Sequence, residues 1–143
     1  MRARPLAQIR AHMLGQILSV TLAVLASPAP AQDIEAGQAL YLDFCAACHG
    51  LQARGDGAMA DLLRVAPTDL TGLSAGGAFP ILRVAQQIDG RRPMVAHGGD
   101  MPIFGRWFQG QGADVAMPGP GGQPIMISRP TADLIAWLMT VQQ

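Results

Sequence analysis

Cys45 and Cys48 are the only cysteines in the 143-residue chain, and His49 follows the second directly. This Cys-Ala-Ala-Cys-His run constrains the fold more than any other feature. On a helical turn the i, i+3 spacing brings both thiols to one face, where they can add to the two vinyl groups along one edge of a haem. The next residue then offers its imidazole to the iron, which is the pattern of covalent haem attachment. Three other uses of the pair compete. A dithiol–disulfide couple suits an oxidising compartment, but such a couple sits at the mouth of a βαβ unit, and no strand pattern surrounds Cys45. A zinc site needs four ligands, and past residue 31 only His97 remains besides His49. A plain disulfide across two intervening residues is strained.

The first 31 residues read as an export segment rather than as part of the fold. Arg2, Arg4 and Arg10 form a basic start, and residues 14–26 are an apolar run of 13. That run falls short of the ~20 helical residues that span a bilayer, although an uncleaved, tilted anchor is the competing reading. Ala29 and Ala31 carry the small-residue pattern that a signal peptidase reads. Cleavage after Ala31 would leave a periplasmic domain over 32–143 with no membrane anchor. No cysteine lies at the cut to take a lipid.

Beyond Ala31 stand all ten acidic residues but only seven of the ten arginines, a net charge of −3, and the chain has no lysine. Such a surface argues against nucleic acid and anionic membranes as partners. With seven aromatic residues in the whole chain, a domain this small has a thin core. A large apolar cofactor would fill it.

Helical spacing and capping signals predict helices over 33–47, with Asp33 as cap and Glu35 in the first turn, and over 80–89, opened by Pro80 and stopped by Gly90. A last helix is expected over 130–140, with Leu134, Ile135, Leu138 and Met139 on its apolar side, and a short one over 59–65. Glycine and proline crowd 90–105 and 109–123, which read as loops. The expectation is an all-α domain of three or four helices around a central group.

With these residues in view, the chain resembles the class I bacterial c-type cytochromes. Besides the haem pentapeptide, that family sets a small residue, an aromatic and the first Cys at steps of four, as Gly37, Tyr41 and Cys45 stand here. Its C-terminal helix crosses the N-terminal one through an apolar residue and an aromatic three apart, matched by Leu134 and Trp137. The resemblance implies the cytochrome c fold, its terminal helices crossing around one haem c per chain, with Trp137 lying against the backbone at Gly37. It runs from Gln32 to the end, except for a longer loop near 109–127.

The resemblance also implies a second axial ligand, a Met thioether, which raises the reduction potential. The family's ligand loop has a Met-Pro-x-aromatic-Gly pattern, and Met101-Pro102-Ile103-Phe104-Gly105 matches it. The expected cofactor-binding set is therefore Cys45, Cys48, His49 and Met101, with His49 and Met101 on the metal. Met117, Met94 and His97 are the alternatives, while Met59, Met126 and Met139 read as packing or as lying on the wrong side. Further implied roles are a Pro67 carbonyl accepting from the His49 ring, Arg91 or Arg92 pairing with a propionate, and Trp107 or Phe108 walling the Met face.

The function this implies is a periplasmic single-electron carrier and not an enzyme. It would run between a dehydrogenase or quinol-oxidising donor and a terminal oxidase or reductase in a respiratory chain. Two alternatives remain: an electron-transfer subunit of a larger respiratory or dehydrogenase complex, and a haem ligand-binding or sensor protein.

Overall fold

The computed structural model describes residues 32–91 and 101–143. The expected export segment, Arg92, Met94, His97 and the residues just before Met101 lie outside them.

Helix α1 (Ile34–Phe44) starts where expected, because the Asp33 carboxylate accepts from the Ala36 N–H at 3.0 Å. It ends at Cys45 rather than running on to 47. The chain is re-aimed there into a single turn, α2 (Ala46–His49), which Gly50 closes at φ 81°. Only Gly37 and Tyr41 of α1 are buried, one turn apart, so the helix presents a narrow seam.

Helix α3 (Ile81–Asp89) begins after Pro80 and stops at Gly90, whose left-handed φ of 75° lets its N–H return to the Gln86 carbonyl. A further single turn, α4 (Gly105–Phe108), follows. Helix α5 (Arg129–Thr140) is capped by Ser128 and carries Pro130 in its first turn. Eight of its twelve residues are buried, so α5 is the spine of the core. Met139, expected on its apolar side, is exposed. The expected helix over 59–65 shrinks to one 3-10 turn, Ala60–Leu62.

The terminal helices α1 and α5 pack together as the family resemblance implied, with one correction. At Gly37 it is the α5 backbone that approaches, and a methyl group there would strike the Asp133 carbonyl. Trp137 sits one turn further along and stacks on Tyr41, with ring centroids 4.2 Å apart. The Asp133 carboxylate also accepts from the Asp33 N–H at 2.8 Å, tying the two helix starts together.

The stretch expected as loop contains a hairpin, so the fold is mostly rather than wholly helical. Strands β1 (Val115–Pro118) and β2 (Pro124–Ile127) pair antiparallel, Val115 opposite Ile127 and Met117 opposite Ile125. These four residues face inward, with Met117 and Ile127 buried, while Ala116 and Met126 point out. Two apolar faces in alternating register outweigh the glycine-rich turn between them. Met126 is therefore not packing. Among the described residues no helix is long and apolar enough to cross a membrane.

Candidate haem site

Locally, the site is built by the carbonyls of α2. A helix's last carbonyls lack partners within the helix, and here the following loop supplies them in series. Gly50, Met59, Gly57 and Gly55 donate to the carbonyls of Ala46, Ala47, Cys48 and His49, at 2.9, 2.8, 3.1 and 2.8 Å. Gly57 lies so close that a methyl group would strike the Ala46 and Ala47 carbonyls. The loop then folds against the next segment: Gly55 abuts the Pro67 carbonyl, and Leu70 donates to Ala53 at 2.7 Å.

That next segment fixes the imidazole. The His49 Nδ1–H donates to the Thr68 carbonyl at 2.9 Å. Since a carbonyl only accepts, the proton sits on Nδ1, and the Nε2 lone pair is left available to a metal. The acceptor is thus one residue past the expected Pro67, whose own carbonyl is turned toward Gly55. The segment is held in turn. The Asp69 carboxylate accepts from both the side chain and the backbone of Thr71, which keeps it below the ordinary carboxylate range. Gln142 accepts from Ser74 and donates to the Leu70 and Leu138 carbonyls, clasping the segment to α5.

Above this floor opens a cavity of about 470 Å³, to which Cys45, Cys48, His49 and Met101 all contribute. The two thiols are not bridged to each other. Burial, and then the neighbouring Cys48, push the Cys45 thiol up to about 12. Tyr41, Leu70, Val84, Ile88, Phe104 and Leu134 supply much of the apolar wall. The volume lies within the range of cofactor pockets, and such pockets are mostly apolar with a few placed polar groups. Two thiols, a tautomer-fixed imidazole and a thioether around one apolar cavity fit a covalently bound haem. Among the described residues, no three Cys, His or carboxylate groups cluster as a zinc site would require.

Met101 is the described methionine that lines this cavity. Met59, Met126 and Met139 are exposed, and Met117 is buried within the hairpin. Phe108 is buried in a ring cluster with Phe44 and Phe104, but of these three only Phe44 and Phe104 face the cavity. Trp107 is exposed, so neither it nor Phe108 walls the site.

Sequence reasoning missed two residues, Arg83 and Gln87. Arg91 is paired with Asp89 and does not line the cavity, whereas Arg83 does. The signal was the helical spacing of α3, where Arg83, Val84, Gln87 and Ile88 share one stripe.

The chain belongs to the cytochrome c family, whose model matches residues 34–142. Haem-based electron transfer is the chemistry of that domain. Of solved structures, a chain of the reducing HAO-like protein complex of Kuenenia stuttgartiensis is similar in fold, with a TM-score of 0.55 at 21% identity. The match covers 82% of this chain and 48% of that one, so this chain spans about half the length of the one it resembles. No curated protein matches it in sequence.

Proposed function

We propose that the chain is a periplasmic single-electron carrier, with one haem c attached through Cys45 and Cys48 and ligated by His49 and Met101. The observation that carries this reading is the convergence of all four side chains on one cavity. When bound, the haem supplies a one-electron couple, its potential set by axial ligands and surroundings. Each residue has a task that follows from its position. Thr68 holds the imidazole ring in one tautomer and orientation, Met101 would supply the second ligand, and the apolar wall would keep water from the haem. With both positions filled, a small ligand must displace Met101, which separates a carrier from a sensor or peroxidase.

The ferric protein should show the weak red Met–iron(III) absorption band, and Met101→Ala should remove it. The haem should also stay on the denatured polypeptide in an acid–organic extraction. Release of haem into the organic phase would end the covalent assignment, and a band that survives Met101→Ala would move the ligand elsewhere.

The second reading, a subunit of a larger oxidoreductase, is favoured by exposed apolar side chains on α4 and on the hairpin. Trp107 is 67% and Met126 55% exposed. Its donor and acceptor would be the same classes, a dehydrogenase or quinol-oxidising donor and a terminal oxidase or reductase. A stable complex retained through size-exclusion chromatography of the native periplasmic fraction would favour it over a free shuttle.

A further inference from the structure

We propose that Gln87 is a positioning residue that donates a hydrogen bond to the Met101 sulfur and thereby raises the reduction potential. This rests on Met101 being the second axial ligand. The amide Nε2 of Gln87 lies 3.8 Å from the Met101 sulfur, within reach for a sulfur acceptor. Gln87 stands on the α3 stripe that faces the cavity, between the buried apolar Val84 and Ile88. An amide on an apolar wall is unfavourable unless hydrogen-bonded, and a leucine there would extend the wall. An amide whose N–H meets the Met101 sulfur on that wall has a specific use.

The chemistry follows from the thioether. Its sulfur has two lone pairs, and ligation uses one. A donor on the second draws electron density from the sulfur and makes it a weaker donor. Weaker donation destabilises the ferric state more than the ferrous one, because the higher charge depends more on it. The same contact stops rotation about the three flexible bonds of Met101 and selects which lone pair faces the metal.

The test uses the holoprotein with Gln87→Leu, Gln87→Met as the unbranched alternative should leucine fail to fold, and Gln86→Leu as control. Gln86 is the adjacent amide and does not line the cavity. The readouts are the potential by redox titration, the Met–iron(III) band, and the NMR shift of the Met101 methyl group. In either Gln87 variant the reduced-to-oxidised ratio at fixed potential should fall about three- to tenfold, as expected for loss of one neutral hydrogen bond. Tenfold corresponds to 59 mV for one electron. The red band should persist but shift, and the methyl resonance should move, while Gln86→Leu changes none of these. An unmoved potential with the band intact would overturn the role of Gln87 and leave Met101 as ligand. An equal fall in Gln86→Leu would likewise overturn it. A wild-type protein lacking the band would overturn the Met101 assignment itself, and the role of Gln87 with it.

Discussion

The two candidate axial ligands are held in opposite ways. His49 sits at the end of a turn whose four carbonyls are bonded by the following loop, with its ring anchored on Thr68. Met101 is followed by the exposed Pro102 and touches one described side-chain donor, Gln87, through a long contact to sulfur. The imidazole is fixed by backbone, the thioether by side chains. Damage on the first side should therefore cost the fold, and damage on the second should cost mainly the spectrum and the potential.

Removing Cys48 tests the first side most severely. Cys48→Ala should yield almost no stable holoprotein, measured as haem-stained protein per cell, because a thin-cored domain loses its central filler. Gly57→Ala comes next. Its methyl group meets carbonyls that cannot move without breaking the α2 turn, so denaturant unfolding should show a loss of about 3 kcal/mol, the upper end for overpacking. Met101→Ala should cost less, about 2 kcal/mol, since the side chain is half-buried. It should leave the haem attached while carbon monoxide binds at a concentration at least about tenfold lower. Equal stability losses in these last two variants would break the comparison.

Tyr41 separates packing from protonation. Its hydroxyl donates to the Gly50 carbonyl at 2.6 Å, and burial, then Cys45 and Asp56, push its phenol above the ordinary value. The folded state thus holds this proton more tightly than the unfolded one. The associated stability is complete below the unfolded value of about 10 and falls as pH rises above it. Tyr41→Phe should cost about 1 kcal/mol at neutral pH and flatten the alkaline part of the stability–pH curve. The smallest effect belongs to Pro67→Ala, about 1 kcal/mol or less through chain entropy, with the red band unmoved.

Much of this was legible in the sequence, for local reasons. Asp33, Pro80, Gly90 and Pro130 mark helix ends, and caps act within a turn of where they stand. The haem pentapeptide and the Met-Pro loop carry their chemistry in neighbouring residues, and the structure brings Cys45, Cys48, His49 and Met101 to one cavity. What escaped depends on residues far apart in the chain. Thr68 rather than Pro67 meets His49, and the Pro67 carbonyl lies against Gly55 instead. The partner of Gly37 is the α5 backbone, and no spacing in α5 distinguishes that from Trp137. The hairpin was readable in principle, since Val115, Met117, Ile125 and Ile127 alternate with outward residues. The glycines and prolines around them masked the alternation.

The carbonyl-to-loop series at α2 also has a meaning in time. Its four bonds link residues 4, 6, 9 and 12 apart, whereas the Asp33–Asp133 tie between the terminal helices spans 100. Closing a loop of about ten residues takes roughly 10–100 ns, and contacts distant in sequence form more slowly. The turn bearing both thiols and the imidazole can thus take shape while the rest of the chain is still open, with its thiols still accessible. Hydrogen exchange on the haem-free chain checks this order: the amides of Gly55, Gly57 and Met59 should be protected before those of α5.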